Sequence, residues 1–144
     1  MTLDHIGIAV RDLDAALGHY ESVLGIESSG RQRVEHQGVE VAFIELGDSK
    51  VEFLAPLGDQ SPVAKFLDKR GEGMHHTAFL VEDLPAEIAR FKEQGYQFLS
   101  EEPSVGAGGK QVIFMHPKEH HGVLIELCAK TGQTMVDKTQ DATI

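Results

Sequence analysis

Leu3-Asp4-His5-Ile6-Gly7-Ile8-Ala9-Val10-Arg11-Asp12-Leu13 and Met74-His75-His76-Thr77-Ala78-Phe79-Leu80-Val81-Glu82-Asp83-Leu84 read alike. In both, a histidine opens a run of alternating apolar side chains, an aspartate follows, and a leucine begins an amphipathic stretch. His5 and His76 are 71 residues apart in a chain of 144, so the sequence carries two copies of one unit. Period-two alternation predicts a strand, and the aspartate after it is a helix N-cap.

Working outward, Leu13, Ala16, Leu17, Tyr20 and Leu24 recur at helical spacing after Asp12. In the second copy Pro85 fits the first helical turn and Ile88, Ala89 and Phe91 continue the apolar stripe. Gly25 and Gly95 stand where these helices should end. Three strand-like runs follow each helix. They are 26–34, 39–45 and 50–55 in the first copy, and 98–100, 111–115 and 123–128 in the second. Each half therefore reads βαβββ. The expected fold is α+β, two tandem modules at about 1–58 and 74–129 within one domain, 1–129. A short helix over 62–70 links them. The polar segment 130–144 is expected to fray.

Composition excludes several classes. The hydrophobic fraction of 41% and charged fraction of 25% are ordinary for a soluble globular chain. No apolar run reaches membrane-spanning length, and Asp4 and His5 interrupt the start too early for a signal peptide. Cys128 is the single cysteine, so no intrachain disulfide can form. These features predict a cytoplasmic protein. A net charge of −10 disfavours nucleic acid and anionic membranes as partners. An anionic substrate would have to be drawn in by a local basic patch or a metal.

The repeat also sets four possible metal ligands at equivalent positions. His5 and His76 lie on the first strand of each half, Glu52 and Glu126 on the last. Val51 and Phe53 flank Glu52, and Ile125 and Leu127 flank Glu126, so each carboxylate faces away from its apolar neighbours. His5 likewise shares a face with Gly7 and Ala9. A buried polar group needs a partner, and one divalent cation would serve all four. Two imidazoles and two carboxylates suit Co, Ni, Mn, Zn or Fe(II), with two octahedral positions left for a bidentate oxygen ligand. Register with His5 favours His76 over His75. His120 and His121 read as solvated turn residues, His116 as a loop residue or a substrate contact, and Met74 and Met115 as core. His19 and His36 carry no signal.

Several motifs resemble the methylmalonyl-CoA epimerases, a family of the vicinal-oxygen-chelate superfamily. They are Asp4-His5-Ile6-Gly7-Ile8-Ala9-Val10, Ala55-Pro56-Leu57-Gly58, Ser61-Pro62-Val63-Ala64-Lys65-Phe66-Leu67 and Gly73-Met74-His75-His76. Ser100-Glu101-Glu102-Pro103, Phe114-Met115-His116-Pro117-Lys118 and Gly122-Val123-Leu124-Ile125-Glu126-Leu127 belong with them. The histidine strands are generic to the superfamily. The Pro-Leu-Gly…Ser-Pro linker and the His-Pro-Lys segment point more narrowly to the epimerases.

The resemblance implies a curved, partly open barrel-like sheet around the metal, with helices outside, in a homodimer. It implies epimerisation of an acyl-CoA at C2 by 1,1-proton transfer through a metal-stabilised enolate, feeding propionyl-CoA metabolism. Acid/base groups must then stand on both faces of the carbon. Glu126 is the candidate for one and Glu52 for the other, since related metal-bound glutamates can detach and take a proton. Some epimerases carry Glu at the place that is Val41 here; Glu40 has the opposite parity and Glu45 lies too far along the strand. Lys110, His116 and Lys118 are candidate substrate contacts, with Lys65, Lys69 and Arg70 as further cations for phosphates.

Competing readings are a glyoxalase I-like lyase acting on a glutathione hemithioacetal, an Fe(II) extradiol dioxygenase and a metal-free ligand-binding module. The ligand set does not separate the lyase from an epimerase. Glu52 as a fourth ligand argues against the dioxygenase, and four filled positions argue against the metal-free module.

Overall fold

A computed structural model describes residues 1–131. The segment expected to fray begins at Lys130, and from 132 onward it lies outside the described residues. The described chain is α+β, with eight strands and three α-helices in the predicted order. The first βαβββ run is β1 (Thr2–Ala9), α1 (Leu13–Leu24), β2 (Gly30–Val34), β3 (Val39–Leu46) and β4 (Ser49–Pro56). Helix α2 (Pro62–Arg70) links it to the second run. That run is β5 (Gly73–Leu80), α3 (Leu84–Glu93), β6 (Ser104–Val105), β7 (Gln111–Met115) and β8 (Leu124–Ala129). No described helix is long and apolar enough to cross a membrane.

The chain divides into two compact units. One is Asp4–Thr77; the other joins Met1–Leu3 to the chain from Ala78 onward. In the first, β2 pairs antiparallel with β3, β3 antiparallel with β4, and β4 parallel with β1. Strand parity decides which side chains are buried under α1. Ile6 and Ile8 of β1, Ala42 and Ile44 of β3, and Val51, Phe53 and Ala55 of β4 pack with Leu13, Ala16, Leu17 and Tyr20. Their alternates, His5, Gly7 and Glu52, therefore stand on the opposite face. Asp12 caps α1, its carboxylate accepting from the Ala15 amide at 3.1 Å. Gly25 ends the helix in the left-handed region at φ 68°.

In the second unit β6 pairs with β7 and β7 with β8, both antiparallel. Leu84, Ile88 and Phe91 of α3 pack with Ile113, Met115, Ile125 and Leu127. This puts Glu126 on the other side of β8 from Ile125 and Leu127, and it is buried. Asp83 caps α3 as Asp12 caps α1.

Two strand expectations are corrected. The segment 98–100 is not a paired strand: Phe98 makes one bridge to Met115, and Leu99 one hydrogen bond to the Phe114 carbonyl. The Ser100 hydroxyl then donates to the Glu102 carbonyl, and Pro103 has no N–H to offer. Pairing resumes only at β6. Similarly, β2 begins at Gly30 and not Ile26, because the Ser28 amide is taken by the Glu21 carboxylate at 2.7 Å. Met115 is core as expected, whereas Met74 is 59% exposed. His120 is not a solvated turn residue: its ring lies 5.3 Å from that of Tyr96, and its Nε2 is buried.

Candidate metal centre

Three of the predicted ligands converge within the Asp4–Thr77 unit. His5 on β1, Glu52 on β4 and His76 on β5 are all buried. His5 Nε2 lies 3.0 Å from His76 Nε2, and Glu52 Oε1 lies 3.5 Å from the first and 3.4 Å from the second. The two rings meet edge to face, centroids 5.1 Å apart. No other group of three or more potential ligand side chains converges this way among the described residues.

The donor set fits a divalent cation. An ion bonded at about 2.1 Å to each donor holds donors about 3.0 Å apart at right angles and about 3.4 Å apart at the tetrahedral angle. The three observed separations lie close to that range. Two imidazole nitrogens and a carboxylate oxygen are also the borderline donors that first-row divalent metals favour.

Gly7 makes the convergence possible. It sits on the ligand face of β1, and in register with Glu52 across the β1–β4 pair. A Cβ built there would overlap the His76 ring at Cε1 and Nδ1. The site thus requires that position to be bare.

Electrostatics keep the Glu52 carboxylate in the ionised form that can bind a cation. Burial pushes the Glu52 carboxyl up, but the hydrogen bond from His76 and the charges of His76, His5 and Lys50 outweigh it, so its pKa falls below the usual value. His75 is pushed down from 6.5 to about 4, chiefly by burial and then by the neighbouring His76. It is neutral at physiological pH.

The remaining predicted residues belong to the second unit or to α2. Glu126 is buried on β8. Lys110 immediately precedes β7 and Lys118 is exposed. His116 acts as an N-cap, its Nδ1 accepting from the Lys118 amide at 3.2 Å. Lys65, Lys69 and Arg70 are exposed on α2. Glu40 is bound by Arg31 at 3.1 Å, and Val41 is buried.

Sequence reasoning passed over Asp4, Lys50 and His75, which surround the two histidines. Asp4 Oδ2 lies 2.7 Å from His5 Nδ1 and 3.4 Å from Lys50 Nζ, and His75 Nδ1 lies 2.9 Å from His76 Nδ1. Adjacency in sequence to a ligand histidine was the available signal for Asp4 and His75, whereas Lys50 meets His5 only through the β1–β4 register.

Residues 4–114 match the model of the glyoxalase/bleomycin resistance protein/dioxygenase superfamily. The chain is 47% identical over 127 residues to the ethylmalonyl-CoA/methylmalonyl-CoA epimerase of Cereibacter sphaeroides, covering 87% of this chain and 95% of that one. It belongs to the methylmalonyl-CoA epimerase family. The human mitochondrial member is 44% identical, across 87% of this chain and 72% of its own. A variant of the Streptomyces coelicolor epimerase, solved with 2-nitronate-propionyl-CoA, superposes with a TM-score of 0.87 at 38% identity. That alignment covers 92% of this chain and 96% of the Streptomyces chain.

Proposed function

We propose that this chain interconverts the two C2 epimers of methylmalonyl-CoA by 1,1-proton transfer, with a divalent metal ion as cofactor. The observation that carries the reading is the buried convergence of His5, Glu52 and His76 in a chain of this family. Glu126, repeat-equivalent to Glu52 and also buried, is the proposed fourth ligand. A divalent ion held by these residues would act as a Lewis acid on the thioester oxygen, an electrostatic contribution of roughly 3–4 kcal/mol if one oxyanion donor is a guide.

The chain's own residues do the rest. Removing and returning a proton at C2 from opposite faces needs two groups within reach of that carbon. We assign Glu126 to one face and Glu52 to the other. Glu52, held ionised by its histidine neighbours, is in the form that accepts a proton. Lys110, His116 and Lys118 are the proposed contacts for the anionic substrate, with Lys118 the most accessible of them. A homodimer is part of the same proposal, and light scattering of the purified protein tests it.

Proton NMR of methylmalonyl-CoA in D₂O tests the reaction, comparing metal-loaded with chelator-treated protein. Metal-dependent loss of the C2 proton signal is expected. Absence of exchange by protein with metal demonstrably bound would overturn the reading and make a glutathione hemithioacetal the next substrate.

A further inference from the structure

In each copy of the repeat, the residue just before the ligand histidine contacts that histidine's far ring nitrogen. Asp4 meets His5 Nδ1 at 2.7 Å, and His75 meets His76 Nδ1 at 2.9 Å. Asp4 and His75 are separated by the same 71 residues as the histidines they touch. We propose that Asp4 and His75 are positioning residues of the metal centre, each fixing the orientation and proton placement of the next ring so that its Nε2 faces the shared donor point. The proposal rests on the reading that His5 and His76 hold a metal ion.

Chemistry gives the two contacts different strengths. An ionised carboxylate can only accept, so a hydrogen bond from His5 to Asp4 puts the proton on Nδ1 and leaves the Nε2 lone pair for a metal. Asp4 is only 7% exposed, and a buried carboxylate is costly unless paired. Lys50 supplies that pairing: it stands beside His5 in the β1–β4 register, its ammonium 3.4 Å from the same Asp4 oxygen. Lys50 Nζ also lies 5.6 Å from the centre of the Phe43 ring, which limits where it can swing. Asp4 is thus held from both sides with one oxygen aimed at His5.

His75 offers an imidazole in place of a carboxylate. Its ring packs edge-on to Phe66, centroids 4.9 Å apart. A neutral imidazole can accept from His76 Nδ1 as the carboxylate does from His5, but more weakly. The contact that backs His5 is therefore the stronger of the two. Such backing of a ligand histidine typically changes metal affinity roughly ten- to a hundredfold.

The test uses Asp4→Asn, which preserves size, and His75→Phe, which preserves the ring against Phe66. Co(II) alone is titrated into metal-free protein and followed by its visible d–d bands. Histidine tautomers are read from long-range ¹H–¹⁵N spectra of the same metal-free samples. The wild type should show His5 protonated at Nδ1, and Asp4→Asn should lose that single form and bind Co(II) roughly ten- to a hundredfold more weakly. His75→Phe should weaken binding by a smaller factor. Finding His5 as the Nε2–H tautomer in the wild type would overturn the positioning role alone, even if Asp4→Asn does not fold. Unchanged Co(II) affinity in both variants would do the same. Failure of the wild type to take up Co(II) would overturn the metal reading and the positioning role with it.

Discussion

At Gly7 a single hydrogen atom decides whether His76 can come beside His5 and Glu52. The His76 ring occupies the space that any β-carbon at position 7 would need. Gly7→Ala should therefore displace His76 and weaken Co(II) binding at least roughly tenfold, with the far-ultraviolet circular dichroism unchanged. An alanine variant with wild-type affinity would show that the ring has room to retreat. His75 gives a second expectation. Burial holds it neutral to about pH 4, whereas the unfolded chain protonates it near 6.5. Between those values the unfolded state binds more protons, so stability of the metal-free protein should fall as pH drops through that window. The lowered Glu52 pKa acts in the same sense below 4.5. Melting temperatures at pH 7 and 5 check this, and His75→Phe should flatten the difference. Parity found His5, Glu52 and His76 because alternation separates the two faces of a strand. It missed Asp4 and His75 because contact between neighbouring side chains depends on rotamers, which alternation does not encode.

At the scale of elements, the site inherits its geometry from how β1 and β4 are packed. Ile6 and Ile8 of β1 and Val51 and Phe53 of β4 are fixed under α1, and this orients His5 and Glu52 on the opposite face. Helix α1 is held at its start by Asp12. Replacing it with alanine should cost about 1 kcal/mol in urea denaturation and leave Co(II) affinity unchanged, because the cap touches no ligand. A large drop in affinity would mean that α1 reaches the metal centre by a route the packing does not suggest. The element order was legible since helices and strands here obey their periods and carry standard caps. Strand β6 was not, because Pro103 and the Ser100 hydroxyl redirect a segment whose apolar content suggested an earlier strand. Similarly, Glu21 captures the Ser28 amide from seven residues away, a tertiary contact that no local pattern announces.

For the whole molecule, the three converging donors come from far-apart positions in one unit, Asp4–Thr77, so a bound ion should report on the folding of all of it. A ligand present at a hundred times its dissociation constant adds about 2.7 kcal/mol to folding. Chelator treatment should therefore lower the melting temperature by several degrees, and re-addition of Co(II) should restore it. An unmoved transition would argue against metal binding at this site. The parallel pairing of β1 with β4, Gly7 beside Glu52 and His5 beside Lys50, has a last consequence. A slip of one residue would turn Ile6 and Ile8 toward the ion and His5 away from it. A chain folded out of step could then capture no metal, and metal supplied during refolding would favour correctly aligned chains. Uptake of the ion would then work as proofreading, and the loaded fraction of a refolded sample would count the molecules that passed.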